Sequence, residues 1–104
     1  MEARPMRIRA AEKDGAIEVK VLMSHIMETG QRKDAEGKVV PAHFIQDVTV
    51  KNGDKVVLQA QWGPAVSRDP FLSFKFKGGA KGDKVSVTWT DSEGATRTDV
   101  TTVT

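Results

Sequence analysis

Apolar and polar residues alternate along most of this chain, which is the pattern of β-strands that bury one face. Near the start, Met6, Ile8 and Ala10 alternate with arginines, and Asp14-Gly15 then supplies residues that tolerate the positive φ of a tight turn. A second alternating run follows at once, so the first two segments predict a hairpin. The residues on the buried side of its return strand are Ile17, Val19, Val21 and Met23.

The middle of the chain predicts a polar loop and a second hairpin. Residues from Gly30 to Lys38 are polar and include two glycines, which is typical of a loop. Alternation resumes over residues 42–50, and Asn52-Gly53 is a strong hairpin signal because both central positions of that turn need positive φ. The side chains that this pattern places inside are Phe44, Val48 and Val50 on the first strand and Val56, Leu58, Ala60 and Trp62 on the second.

Three further alternating segments complete the chain after a loop from Gly63 to Pro70. They hold Leu72, Phe74 and Phe76, then Val85, Val87 and Trp89, and finally the Thr-rich residues 95–103. Seven short strands without helical periodicity predict an all-β, immunoglobulin-like antiparallel β-sandwich in one domain over residues 1–104, with a small barrel as the alternative. The last strand has few apolar residues, so we expect it at a sheet edge.

Composition excludes several kinds of chemistry. The 104 residues include no cysteine, which rules out disulfides, thiolate metal sites and a cysteine nucleophile in this chain. There are 16 Lys and Arg against 14 Asp and Glu, so the net charge of +2 gives little support for nucleic-acid binding. The charged start, Met1 to Arg9, has no apolar stretch of the kind a secretory signal needs. No run approaches the length of a membrane span, so we expect no membrane contact.

The two histidines, His25 and His43, are the candidates for metal chemistry. They lie on different predicted segments without a diagnostic spacing, so we expect no protein-built metal centre and no cofactor. If the second strand continued through Met27, however, Met23, His25 and Met27 would share one face, and two thioethers with an imidazole suit Cu(I). A copper-handling module is therefore the alternative function, whereas methionines that fill gaps in the core are the simpler interpretation.

Other binding and catalytic patterns are weaker. In Phe74-Lys75-Phe76-Lys77, alternation places the rings and the cations on opposite faces, which does not suit stacking on nucleic-acid bases. The glycines between Gly78 and Gly82 lack the spacing of a phosphate-binding loop. No nucleophile elbow accompanies the serines. We therefore expect no catalytic residues.

One loop is unusually specific in sequence. Residues 24–34 read SHIMETGQRKD and match the pattern S-H-x-M-E-[ST]-G-x-R-K-D of the SoxZ family, which they closely resemble. The likeness extends through Gly37-Lys38 and Pro41, residues 64–67 with Pro70 and Phe71, and residues 89–91 with Gly94. It covers nearly the whole chain.

The resemblance implies an immunoglobulin-like sandwich without catalytic residues of its own. SoxZ-like proteins pair with SoxY, whose C-terminal cysteine carries sulfur intermediates during thiosulfate oxidation, and the oxidising Sox enzymes contact the loaded complex transiently. The family is periplasmic, and its members are exported together with their partner. The missing cysteine agrees with that role, because a second thiol beside the carrier thiol would invite disulfide exchange.

We expect the loop of residues 24–34 to contact the partner or to face the processing enzymes. Its candidate residues are Ser24, His25, Met27, Glu28, Arg32, Lys33 and Asp34. Arg32 and Lys33 are cations that would stabilise an anionic sulfur adduct. The alternative is structural, with the charged residues tying the loop together through ion pairs and turn hydrogen bonds.

A heterodimer also needs exposed apolar surface. Leu22, Ile45 and Val57 lie opposite the predicted buried positions of their strands, so they are candidates for an interface patch. Without the partner, such a patch would favour a homodimer of the isolated chain.

Overall fold

The structure is a computed structural model that describes residues 4–104, so the first three residues of the charged start lie outside it. The described residues form seven β-strands and no helix, hence no helix able to cross a membrane. The strands are β1 (Arg7–Lys13), β2 (Ala16–Leu22), β3 (Ile45–Asn52), β4 (Lys55–Gln61), β5 (Phe71–Lys77), β6 (Lys84–Asp91) and β7 (Thr96–Thr102).

The strands form two antiparallel sheets. One sheet has the order β1-β2-β5 and the other has the order β4-β3-β6-β7. This arrangement is an all-β sandwich of the immunoglobulin-like kind. Strand β7 lies at an edge of the four-stranded sheet, as its composition predicts.

The core lies between the sheets and draws on both. Its fully buried side chains include Ile17, Val19 and Val21 from the three-stranded sheet and Val48, Val50, Val85, Val87 and Trp89 from the four-stranded sheet. Phe74 and Phe76 pack against this core, while Lys75 and Lys77, which alternate with them along β5, are exposed. In β2, β5 and β6, the apolar positions of the alternating pattern therefore face the core and the polar positions between them face the solvent side.

Two β-bulges change which residues face the core. In β3 the pairing with β6 shifts between Ile45 and Asp47, so Ile45 points inward together with Val48 and Val50. Ile45 is completely buried, and the prediction that it forms part of an exposed patch is wrong.

The second bulge lies in the β3–β4 hairpin. Val50 pairs with Leu58 and the next residue, Lys51, pairs with Val56. Val57 has no partner on β3 and is therefore the extra residue of the bulge. Val57 packs against the core, whereas Val56 is 48% exposed. The predicted orientations of these two valines are therefore reversed. Leu22, by contrast, is exposed, as its alternation indicates.

Candidate functional site

The chain passes from one sheet to the other through residues 23–44, which we call the crossover segment. Strand β2 ends at Leu22, and the crossover segment contains only two isolated bridges, Glu28 with His43 and Lys33 with Val39. The first bridge has two backbone hydrogen bonds, of 2.7 Å from the Glu28 amide and 3.0 Å from the His43 amide. These bridges fold the segment back on itself, so its tip lies between residues 33 and 39.

Three buried polar residues form the base of the crossover segment. The Nε2 atoms of His25 and His43 lie 3.1 and 2.6 Å from the same oxygen, Oδ2 of Asp91. Asp91 ends β6, and the two histidines lie near the two ends of the crossover segment. The cluster therefore connects residues that are 66 and 48 positions apart. We call these three residues the His-Asp-His cluster.

Backbone amides determine the protonation pattern of the cluster. The Met27 amide donates to Nδ1 of His25 over 3.1 Å, so His25 carries its proton on Nε2 and donates it to Asp91. The other oxygen of Asp91, Oδ1, accepts from the amides of Glu93 and Ala95. Asp91 thus closes the β6–β7 turn and holds both imidazoles.

Opposing effects act on the pKa of Asp91. Burial raises it, but hydrogen bonds from His25, from His43 and from the Ala95 and Glu93 amides outweigh burial, so the pKa lies below its ordinary value. The carboxylate is therefore the stable form in the fold. Nδ1 of His43 also lies 3.4 Å from Oε2 of Glu93, which extends the network to the surface.

The ligand atoms of the His-Asp-His cluster lie within 4.8 Å of one another, so among residues 4–104 these three form the group that could hold a metal ion. In the fold, however, the same atoms complete a hydrogen-bond network. A metal would have to displace the histidine protons from Asp91, so the arrangement suits a structural role better than an open coordination site.

The premise of the copper alternative is wrong. Strand β2 does not continue to Met27, which has φ of 51° and accepts a hydrogen bond on its sulfur from the Ile45 amide. Nδ1 of His25 accepts from the Met27 amide, and Met23 is fully buried in the core. The shared strand face on which this ligand set depended is absent.

The charged residues of the loop divide into paired and exposed ones. Arg32 donates to both carboxylate oxygens of Glu28, at 2.7 to 3.2 Å, and this hydrogen bonding lowers the pKa of Glu28 and raises that of Arg32. Asp34 accepts from the amides of Glu36 and Lys38 and so closes the turn at the tip. Within residues 4–104, no carboxylate lies within ion-pairing distance of Lys33. Glu28, Arg32 and Asp34 therefore tie the loop together, as the structural alternative predicts. Lys33 is available to contact a partner.

The segments that carry the sequence resemblance meet at His25. Its amide donates to Oδ1 of Asp69, and the Asp69 amide donates back to the His25 carbonyl, which connects the loop before β5 to the crossover segment. The ring of Trp89 lies edge-on to the His25 imidazole, with 5.2 Å between centroids. One end of the sandwich thus contains all three segments.

The sequence singles out both histidines but gives no sign that they share Asp91. Nothing in a local pattern brings positions 25, 43 and 91 together. Ser24 is half-buried beside His25, and Lys33 and Asp34 lie at the exposed tip rather than at the cluster. The candidate residues therefore form a buried base and an exposed tip.

Comparison with known structures supports the fold. Two variants of superoxide reductase (neelaredoxin) from Archaeoglobus fulgidus, both in the reduced form, superpose with TM-scores of 0.60 and 0.52 at 18% identity. The first alignment covers 97% of this chain and 89% of the reductase, and the second covers 94% and 84%. At this identity the likeness establishes a shared sandwich fold. No curated protein matches the chain in sequence.

The family comparison is more specific. The sequence pattern of the family described as "Sulphur oxidation protein SoxZ" matches residues 6–102, which is nearly the whole chain. This range includes the crossover segment, the loop before β5 and the β6–β7 turn, the same segments that converge on His25. The chain therefore belongs to the SoxZ family of sulfur-oxidation proteins.

Proposed function

We propose that this chain is the scaffold subunit of a sulfur-carrier complex, that it pairs with SoxY, and that it has no catalytic residues of its own. The observation that carries the proposal is the family match over residues 6–102 in a chain without cysteine. A chain with no thiol cannot carry sulfur as a persulfide or thiosulfonate, so the carrier cysteine belongs to the partner. The role left for this subunit is to hold and present that partner.

The end of the sandwich that contains His25 is suited to presentation. The His-Asp-His cluster fixes both ends of the crossover segment, and the Glu28–Arg32 pair and Asp34 fix its tip. A loop ordered in this way offers a defined surface without the entropic cost of ordering a flexible segment upon binding. Lys33 at the tip supplies a cation for an anionic sulfur adduct or for a processing enzyme.

Pairing is the first test. The chain is co-expressed with the SoxY protein of the same organism, and the purified complex is analysed by size-exclusion chromatography with light scattering. We expect a stable heterodimer, and sulfur oxidation by the reconstituted system only when both subunits are present. Turnover by this chain alone, or elution of the two proteins as separate species, would contradict the proposal.

The loop cations are tested separately. Lys33→Gln removes the exposed cation and leaves the Glu28–Arg32 pair in place, Arg32→Gln removes that pair, and Lys81→Gln in the β5–β6 turn is the control at the opposite end of the sandwich. If the tip presents the adduct, Lys33→Gln slows turnover of the loaded complex without changing the affinity for SoxY. Unchanged turnover in both loop variants would leave only the structural role for these residues.

The cellular location follows from the same proposal. A subunit that serves an exported carrier must itself reach the periplasm, and we propose that it is exported together with its partner. Fractionation of cells that express this chain with and without SoxY tests this step. Periplasmic recovery that depends on SoxY supports joint export, whereas recovery from the periplasm without SoxY contradicts it.

A further inference from the structure

The outer face of the three-stranded sheet exposes two large apolar side chains next to each other. Leu22 at the end of β2 is paired in register with Phe71 at the start of β5, and they are 41% and 61% exposed. Cross-strand neighbours on one face of an antiparallel pair have Cβ atoms about 4.5–5.5 Å apart, so these two side chains form one patch. Within residues 4–104, no other two exposed large hydrophobic residues are neighbours across strands of that sheet.

Three cations border this patch. Arg7 is the register neighbour of Leu22 on β1, and Arg9 pairs with Lys20 one row along the same face. Together with Ile8, these residues line a shallow depression of about 450 Å³. We call this surface the cationic patch, defined by Arg7, Arg9, Lys20, Leu22 and Phe71.

The depression has no acidic residue in its lining. Glu18, on the same face of β2, lies two residues beyond Lys20 and is approached by Lys20 at 3.3 Å and by Lys13 and Lys75 at 4.0 and 3.9 Å. Among the described residues, Arg7 and Arg9 make no ion pair within 4.0 Å. The positive charge next to the apolar pair is therefore only partly neutralised.

We propose that the cationic patch is the docking surface for an acidic segment of the partner subunit, one that places an apolar side chain on Leu22 and Phe71 and carboxylates against Arg7 and Arg9. This inference rests on the proposed pairing with SoxY. An apolar pair bordered by cations selects such a segment, because the charges guide association while the apolar pair, once covered, provides most of the affinity.

A second copy of this chain fits the patch poorly. Self-association through this face would bring two sets of the same three cations together, and like charges across an interface are strongly unfavourable. The charge of the patch therefore favours a different, acidic partner over a homodimer.

The position of the cationic patch agrees with the presentation role. Leu22 and Phe71 lie at neighbouring ends of their strands. Just beyond them, the Met23 amide donates to the Pro70 carbonyl over 2.9 Å, and His25 of the buried cluster is two residues after Met23. A partner segment on the patch would therefore lie at the same end of the sandwich as the crossover segment.

Isothermal titration of this full chain with purified SoxY tests the inference. The apolar variant is Leu22→Ser with Phe71→Ser, and the charge variant is Arg7→Glu with Arg9→Glu. The matched control is Val56→Ser with Val100→Ser, which removes two valines of similar exposure from the other sheet. Circular dichroism and thermal unfolding of every variant confirm that exposed substitutions leave the fold intact.

We expect the Kd for SoxY to rise at least tenfold in the apolar variant and in the charge variant, and to stay within twofold of wild type in the control. Titrations repeated at higher ionic strength should also show that the Kd depends much less on salt in the charge variant than in wild type. Wild-type binding with unchanged Kd in the apolar and charge variants would overturn this inference while the proposed pairing stands.

Absence of binding by the wild-type chain would overturn both. Analytical ultracentrifugation of the chain alone tests for a homodimer. If wild type is a dimer, the apolar variant is a monomer and the affinity for SoxY is unchanged, then a second copy and not the partner occupies the patch.

Discussion

Asp91 is the residue on which the order of the crossover segment depends most. It accepts hydrogen bonds from two imidazoles and two backbone amides while it is almost completely buried. A buried carboxylate that has all its partners contributes to stability mainly because losing it leaves the partners unsatisfied. Its role is therefore to join the β6–β7 turn to both ends of the crossover segment.

Replacing Asp91 by Asn tests that role. Both carboxylate oxygens of Asp91 accept hydrogen bonds, so the NH2 group of Asn would face donors in either orientation: the Nε2–H of His25 or the backbone amides of Glu93 and Ala95. We expect Asp91→Asn to lower the free energy of unfolding by about 3 kcal/mol at neutral pH, measured by urea denaturation. Asp47→Asn, at an exposed position on β3, is the control and should unfold close to wild type.

The same variant should change the response to acid. Because the pKa of Asp91 is lower in the fold than its ordinary value of 3.8, its contribution is complete above pH 3.8 and is lost as the pH falls from there through the folded-state pKa. Between about pH 5 and pH 2, wild type should therefore lose more stability than Asp91→Asn. Parallel pH profiles of the two proteins would show that Asp91 is not held as the anion.

At the scale of elements, strand positions follow from alternation but bulges do not. Seven segments bounded by turn residues predict the seven strands, because a strand that buries one face must alternate. A bulge inserts one residue and reverses the alternation locally, and neither Gln46 nor Val57 differs in type from an ordinary strand residue. Alternation therefore predicts the wrong face for Ile45 and Val57 and the correct face for Leu22, which lies on the regular strand β2.

The crossover segment is the element whose packing glycine determines. Gly30 has φ of 84°, and a Cβ there would lie 3.0 Å from Cβ of Ala42 on the opposite side of the segment. Gly37, at the tip, has φ of 79° but open space around the same position. The two glycines thus share the backbone requirement and differ only in contact.

This difference makes a matched pair of variants. Gly37→Ala carries only the cost of a left-handed alanine, about 1–2 kcal/mol, whereas Gly30→Ala carries that cost and a clash with Ala42 of about 1 kcal/mol more. Urea denaturation of both variants measures the difference directly. Equal losses of stability would show that the two sides of the crossover segment do not pack together at Ala42.

At the scale of the whole molecule, the fold joins residues that no local pattern connects. The His-Asp-His cluster needs β6 to pair with β3 in a register that opposes Ile45 to Asp91, so it depends on the complete four-stranded sheet. The resemblance to a family pattern marks the crossover segment, but no local pattern marks the buried cluster that supports it. Contacts of 48 and 66 residues in separation are consequences of topology.

The two sheets share one core, so they should unfold together. Val19 of β2 and Val87 of β6 are both fully buried in it, although they belong to different sheets. Both tryptophans lie outside the three-stranded sheet: Trp89 is in β6 and Trp62 directly follows β4. Tryptophan fluorescence therefore reports on the four-stranded side, while far-ultraviolet circular dichroism reports on all strands.

We expect Val19→Ala to lower the free energy of unfolding by about 2 kcal/mol, through lost burial and the cavity left behind. The urea transition followed by fluorescence should shift as far as the one followed by circular dichroism, because a substitution in one sheet weakens the core of both. Val100→Ala, at an exposed position of β7, should leave both transitions near wild type. If fluorescence kept its wild-type midpoint while circular dichroism shifted, the sheets would be separate cooperative units, and a partner docked on the three-stranded sheet could not stabilise the crossover segment through the core.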